Sequence, residues 1–216
     1  ASVLIYVVIG GFRAVALTDA LQGTIMIIGT VILLIATVIA GGGVDNIMQG
    51  LVAENPNLVS PFGADESLTP LYVSTFWILI GLGVIGLPQI AVRAMSYKDS
   101  KSLHRAILIG TIGIGTIMFG MHLIGVFARP VMPGIEIGDK VMPMLTLEVL
   151  PPVLAGIVLA APMAAIMSTV NALLILVSST VVKDIYLNYI NPKASDKQIK
   201  TRSFWVTTII GIAVVL

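Results

Sequence analysis

Hydroxyl and carbonyl oxygens inside an apolar run are the first candidates for chemistry in this sequence. Residues 149–182 are too long and too apolar for a helix of a soluble domain, and such a run is typical of a membrane span. Within it, Ala165, Ser168 and Thr169 lie at positions i, i+3 and i+4, so they share one face of a helix. Small residues and hydroxyls on one face favour either close helix packing or a cation site made of oxygens. Taken alone, the pattern favours packing.

A carboxylate stands at the start of another apolar run. Asp19 precedes residues 20–40 and lies three positions before Gln22, on the same helical face. One interpretation is an acid at a helix N-terminus, where the helix dipole favours negative charge. The other is a carboxylate that lines a cation pathway, and the sequence leaves both open.

Glycines and a proline interrupt the apolar run at 71–92, where a straight helix would otherwise be expected. They are Gly81, Gly83, Gly86 and Pro88. Small residues of this kind are common where membrane helices pack. They also occur in discontinuous helices whose freed backbone groups hold a solute, which is how transporters build sites near the middle of the membrane.

Composition places the chain among integral membrane proteins. Of its 216 residues, 57% are hydrophobic and 11% are charged, whereas soluble domains have about 25% charged residues. The net charge of +1 argues against a nucleic-acid partner, and the lack of cysteine excludes a thiol nucleophile and a thiolate metal site. No catalytic constellation or cofactor motif is recognisable, so we expect neither an enzyme nor an organic cofactor.

Six apolar runs predict a single all-α transmembrane domain with about four complete spans and two truncated ones. Because the first and last runs are short, we expect this sequence to be an internal part of a longer chain. The predicted spans are 1–9 (partial), 20–40, 71–92, 106–127, 149–182 and 203–216 (partial).

The charges between the runs alternate along the chain. Basic residues dominate 93–105 and 183–202, while 44–70 contains acids and neither Lys nor Arg. Because cytoplasmic loops carry an excess of Lys and Arg, we expect these two basic segments and 10–19 to face the cytoplasm. The segments 44–70 and 129–148 would then face outward.

Four sequence motifs together resemble the sodium/solute symporter family across essentially the whole chain. They are GGFRAVALTDALQG, GVIGLPQIAVRAMSYKDSKSLHR, MFGMHL and LAAPMAAIMSTVNALL. SYKDSK followed by HR, and APMAAIMST, are most similar to the branch that carries pantothenate. The resemblance implies part of a LeuT-type fold of two inverted five-helix repeats, embedded in lipid in the bacterial cytoplasmic membrane.

The resemblance also implies roles for individual residues. Family members hold a sodium ion on the helix that matches 149–182, and the matching positions are the Ala165 carbonyl and the hydroxyls of Ser168 and Thr169. This reverses the preference for packing on that face. The acid of the family's TD-x-x-Q motif matches Asp19, which implies a part in sodium binding or transit.

The implied solute is pantothenate, coupled to Na⁺, and the helix matching 71–92 would line its site with the glycines and the proline named above. Ile80 and Val84 occupy positions where the proline-transporting relative has aromatic residues that contact the solute, which argues against proline. Other carboxylates or amino acids remain alternatives. So does a transporter-like membrane sensor or scaffold that has lost transport.

Overall fold

All regular secondary structure is helical in the residues that the computed structural model describes, which are 2–63, 68–135 and 137–215. No strand occurs in those ranges. Within these ranges, three helices are long and apolar enough to cross a membrane, or four if a bent pair counts as one span. The predicted all-α polytopic membrane class is thereby confirmed. The helices are α1 (Ser2–Ala40), α2 (Val44–Glu54), α3 (Pro70–Ile85), α4 (Pro88–Ala94), α5 (Ser100–Val131), α6 (Gly138–Val149), α7 (Pro152–Ser179) and α8 (Asp196–Val215), with a 3₁₀ turn at Pro56–Val59 and a π-helical segment at Thr180–Ile190.

Helix α1 is broken by a kink at Gly11. A straight helix of 39 residues would be about 58 Å long, roughly twice the hydrocarbon thickness of a bilayer. Gly11 has φ 56° and ψ −154°, a conformation suited to glycine. Tyr6 and Asp19, on opposite sides of this break, both hydrogen-bond to Asn171. The connection expected over 10–19 is therefore helical in the structure except at Gly11.

The second arm of α1 packs antiparallel to α7. Near one end of this contact, a Cβ added to Gly29 would lie 3.2 Å from the Cβ of Ala161, so only a very small residue fits there. Near the other end, Asn171 donates a hydrogen bond to Asp19. The residue numbers rise along one helix as they fall along the other, which fixes the antiparallel direction.

The same arm packs parallel to α5. A Cβ at Gly113 would contact Ile27, and one at Gly120 would lie 2.5 Å from Cγ2 of Thr30. Farther along, Leu33 and Ile124 share a buried cluster. The directions of α1, α5 and α7 agree with those that the alternating charges of the connecting segments require.

Two segments expected to be loops contain amphipathic helices. Ile47 and Leu51 of α2 are one helical turn apart, are each 1% exposed, and pack with Phe127. Leu145 and Thr146 of α6 are fully buried. In each of these two helices the buried face is short and lies between polar residues, so it is not evident in the sequence. The expected loops 44–70 and 129–148 also include positions 64–67 and 136, and the truncated runs include 1 and 216; these positions lie outside the described residues.

The helix ends follow local chemistry more closely than hydropathy. Helix α5 begins before the predicted 106 because the Asp99 carboxylate accepts a 2.7 Å hydrogen bond from the backbone N–H of Ser102. Helix α7 begins with Pro152, a residue favoured at the first helical position. The expected loop 183–202 stays helical as far as Ile190, and Pro192 then disfavours helical geometry at Asn191.

Candidate functional site

The three oxygen-bearing residues predicted on α7 share one carbonyl. The Ala165 carbonyl oxygen accepts hydrogen bonds from Ser168 Oγ at 2.9 Å and from Thr169 Oγ1 at 3.1 Å. Ser168 is half-buried and Thr169 is exposed. Each hydroxyl oxygen keeps its lone pairs while its proton is donated to the carbonyl. If both hydroxyls turned their protons away from the Ala165 carbonyl, all three oxygens could face a cation. We call these three residues the α7 oxygen set.

Asp19 lies in a hydrogen-bonded cluster that joins three elements. Its Oδ2 is 2.6 Å from Nη2 of Arg93 on α4, and its Oδ1 accepts a 3.1 Å hydrogen bond from Nδ2 of Asn171 on α7. The Asn171 Oδ1 in turn accepts a 2.7 Å hydrogen bond from the Tyr6 hydroxyl. Asn171 has no exposed surface. We call Tyr6, Asp19, Arg93 and Asn171 the Asp19 cluster.

The interpretation of Asp19 as an acid in the first turn of a helix is wrong. Asp19 lies about two turns beyond the break at Gly11, and the dipole effect falls off within the first turn. Thr18 does not cap a helix either, because its hydroxyl donates to the carbonyls of Ala14 and Val15. The carboxylate is instead held by Arg93 and Asn171.

The predicted break in the run 71–92 is present. Helices α3 and α4 meet at Gly86 and Leu87 with a bend of 57°, and Pro88 opens α4 without an N–H to continue the ladder. A Cβ at Gly81 or Gly83 would have no atom of the described residues within 4 Å. Within this part of the chain, close helix packing therefore does not explain those two glycines.

A second ion pair joins the last residue of α2 to the last turn of α5. Glu54 Oε1 accepts hydrogen bonds from Nε of Arg129 at 2.9 Å and from Nη2 at 2.7 Å. Both side chains are about half exposed. The guanidinium lowers the pKa of Glu54 from its ordinary value, chiefly through the hydrogen bond to the carboxylate.

A comparison with known families matches residues 1–216 to the sodium:solute symporter family. The chain belongs to this family. It is 52% identical over 200 residues to a sodium/pantothenate symporter of Haemophilus influenzae, covering 93% of this chain and 41% of that protein. The identity to a sodium/pantothenate symporter of Escherichia coli is 50% over 217 residues, covering 100% of this chain and 45% of that protein.

A more distant relative is the osmoregulated proline transporter OpuE of Bacillus subtilis. It is 34% identical over 224 residues, covering 100% of this chain and 44% of that protein. The chain therefore spans less than half the length of these curated relatives. No solved structure matches it. The resemblance to the sodium/solute symporter family seen in the sequence is confirmed.

Sequence reasoning did not assign a role to three members of the Asp19 cluster in this symporter chain. Arg93 stands out in the sequence only as one of the basic residues of 93–105, and no local pattern marks Tyr6. Asn171 gave the clearest signal, because a polar amide inside an apolar run is costly unless it has partners. It also lies three residues after Ser168, on the same helical face.

Proposed function

We propose that the complete protein is a secondary transporter that takes up pantothenate together with sodium by alternating access. The observation that carries this proposal is the 50–52% identity to two sodium/pantothenate symporters over nearly the whole chain. The identity to the proline transporter is much lower, at 34%. The relatives of this chain named above are bacterial, which supports a location in the cytoplasmic membrane.

Sodium is bound in this proposal by the α7 oxygen set, Ala165, Ser168 and Thr169. The shared carbonyl and two hydroxyls support this role because oxygen ligands suit hard cations. They are uncharged, so they hold a monovalent ion without trapping it. Parts of the protein outside this chain would supply the remaining ligands, on the open side of Thr169.

Asp19 serves the same ion in this proposal, along its path rather than at its site. Its carboxylate is already neutralised by Arg93 at 2.6 Å, so a passing cation would compete with the guanidinium. Arg93 belongs to α4, the second half of the broken helix. Competition at Asp19 would therefore connect sodium movement to the helix that we propose for the solute.

The solute site is proposed along α3 and α4, at Gly81, Gly83, Gly86 and Pro88. The bend of 57° supports this position, because a break leaves backbone N–H and C=O groups without intrahelical partners. In discontinuous helices of transporters such freed groups bind polar parts of the solute.

Uptake of labelled pantothenate by the complete protein in vesicles tests the proposal. We expect accumulation with an inward sodium gradient, little without sodium, and no competition by excess proline. Absence of sodium-dependent pantothenate uptake would overturn the proposed activity.

The sodium site is tested separately by Thr169→Ala and Ser168→Ala in the same assay. Each change removes one oxygen ligand, so we expect the sodium concentration for half-maximal uptake to rise several-fold. Thr116→Ala is the matched control, since Thr116 makes the same intrahelical hydrogen bond on exposed α5, at 2.8 Å. Unchanged sodium dependence in both α7 variants would remove this site but not the symport.

A further inference from the structure

A cavity of about 380 Å³ lies where the ends of α2 and α5 meet the start of α6. The ion pair of Glu54 and Arg129 lines it, together with the apolar side chains of Met132, Ile135 and Val141. Apolar walls with a few polar groups are typical of small-molecule sites, and the volume is in their usual range. The charges of the connecting segments place this cavity on the outer side of the membrane, where a solute arrives.

A close contact of two helices positions the ion pair. A Cβ added to Gly50 on α2 would lie 3.3 Å from Cβ of Pro130 on α5. Glu54 lies one helical turn after Gly50, and Arg129 directly precedes Pro130. The backbone that carries the two charged residues is therefore held, while their side chains are about half exposed. A solute can reach the guanidinium without a rearrangement of these helices.

The guanidinium of Arg129 has hydrogen-bond donors to spare. It carries five N–H groups in a planar fork. Glu54 Oε1 accepts from Nε at 2.9 Å and from Nη2 at 2.7 Å, which occupies one edge of that fork. The three remaining N–H groups, on Nη1 and Nη2, donate to no residue that the structure describes. A second carboxylate can therefore bind the edge formed by Nη1 and Nη2, in the bidentate manner typical of arginine.

Positive charge is scarce on the outer side of this chain. Residues 44–70 contain acids and neither Lys nor Arg, and Lys140 is the only basic residue of 129–148 besides Arg129. An anion that approaches this side meets mostly carboxylates. An arginine with an unused edge, beside a cavity, is therefore the favourable place for it.

From this unused edge and the cavity beside it, we propose that Arg129 binds the carboxylate of the incoming solute here, while Glu54 holds the guanidinium in position. The proposal rests on the proposed pantothenate uptake and adds a solute site apart from α3 and α4, whose described residues do not line this cavity. The apolar walls suit the branched hydrocarbon part of pantothenate. Because the ion pair is neutral as a whole and half exposed, the site binds weakly and releases the solute readily.

Arg129→Gln tests the proposal in the full-length protein, by uptake of labelled pantothenate at saturating sodium. We expect the pantothenate concentration for half-maximal uptake to rise about twofold to fivefold, the range for one exposed charged contact. Maximal uptake should change little, and so should the sodium concentration for half-maximal uptake. Arg129→Lys keeps the charge without the fork, so it should restore only part of the affinity for pantothenate.

Glu54→Gln distinguishes a binding role of the ion pair from a structural one. Its amide oxygen still accepts a hydrogen bond from the guanidinium, but the competing negative charge is removed. We therefore expect the half-saturating pantothenate concentration to fall, in the direction opposite to Arg129→Gln. An ion pair that only stabilised the fold would shift both variants in the same direction.

Gly125→Leu tests the cavity without changing either charge. Gly125 lines the cavity one turn before Arg129, on the same face of α5. A Cβ at Gly125 would meet no atom of the described residues within 4 Å, so the helix accepts a larger side chain there. Leucine would occupy part of the cavity, and the half-saturating pantothenate concentration should rise.

Two controls accompany these variants. Lys140→Gln removes the same charge from the same side of the membrane, at an exposed residue that lines a neighbouring cavity, and it should behave like the wild type. The alcohol analogue of pantothenate, with a hydroxymethyl group in place of the carboxylate, cannot pair with the guanidinium. It should inhibit uptake by the wild type and by Arg129→Gln at equal concentrations.

The outcomes separate the two claims. If Arg129→Gln and Lys140→Gln raise the half-saturating concentration equally, only the overall charge of the outer side matters and the inference is overturned. A shift of Glu54→Gln in the same direction as Arg129→Gln also overturns it. Should Arg129→Gln fail to fold, unchanged values in both Glu54→Gln and Gly125→Leu would contradict the inference. Absence of sodium-dependent uptake by the wild type would instead overturn the proposed function, and with it the ligand assigned to Arg129.

Discussion

Two ion pairs join distant parts of this chain at nearly equal distances and in very different surroundings. Arg93 lies 2.6 Å from Asp19, and Arg129 lies 2.7 Å from Glu54. The Asp19 side chain is 15% exposed, whereas that of Glu54 is 46% exposed. Asp19 is further bonded to the fully buried Asn171. The exposed groups can exchange their partner for water, and the buried amide cannot.

The two pairs also connect different elements. The Asp19 cluster ties both arms of α1 to α4 and α7, the helices to which we assign the ion and solute sites. The Glu54–Arg129 pair ties α2 to α5. Equal distances therefore do not mean equal roles. Changes in the Asp19 cluster should affect both stability and sodium dependence, while changes in the other pair should affect neither strongly.

The largest effect is expected for Asn171→Leu. Leucine has the same branched shape and the same number of side-chain heavy atoms, but it leaves the Tyr6 hydroxyl and one Asp19 oxygen without partners, and each group costs about 1–3 kcal/mol when it stays buried. The thermal midpoint of the purified full-length protein should fall by several degrees. The sodium concentration for half-maximal uptake should also rise, because Asn171 no longer orients the Asp19 carboxylate.

Asn188→Leu is the control for that variant. Asn188 is exposed and donates a 3.1 Å hydrogen bond to the Asp184 carbonyl, so its removal leaves groups that water can solvate. Equal losses of stability in Asn171→Leu and Asn188→Leu would contradict the importance of burial in the Asp19 cluster.

An intermediate effect is expected in a double-mutant cycle with Asp19→Asn and Arg93→Gln. The interaction free energy should be about 1 kcal/mol, within the range for partly buried contacting residues. Thermal or denaturant unfolding of the four proteins measures it. The same cycle with Glu54→Gln and Arg129→Gln should give no resolvable interaction. A larger coupling in that second cycle would reverse the comparison.

The difference between the two regions also explains what the sequence could predict. Ser168 and Thr169 share a face with Ala165 because of helical periodicity alone, so local spacing was sufficient. The partners of Asp19 are separated from it by 74 and 152 residues, and no local pattern brings them together. Hydropathy depends on local composition. It therefore predicts the long apolar helices, but it does not predict the contacts between distant residues that form the Asp19 cluster.

Gly11 and Gln22 show two further limits. Two adjacent glycines followed by Phe and Arg predict a connection, but the helix is interrupted only at Gly11, which has φ 56°. The sequence indicates only that Gln22 shares a helical face with Asp19. Its burial without a partner depends on the register between α1 and α7, which the close contacts of small residues determine. Packing geometry of this kind is absent from single-helix patterns.

The smallest effect is expected for Glu54→Gln, and it varies with pH. The Arg129 hydrogen bond lowers the folded-state pKa of Glu54 from its ordinary value of 4.5. The contribution of the ionised Glu54 to the stability of the fold is therefore present above pH 4.5 and is lost as the pH falls through the lowered pKa. The variant should match the wild type in thermal midpoint at pH 7 and high salt, and its midpoint should depend less on pH below 4.5. A loss at pH 7 as large as that of Asp19→Asn would show that solvent exposure does not separate the two ion pairs.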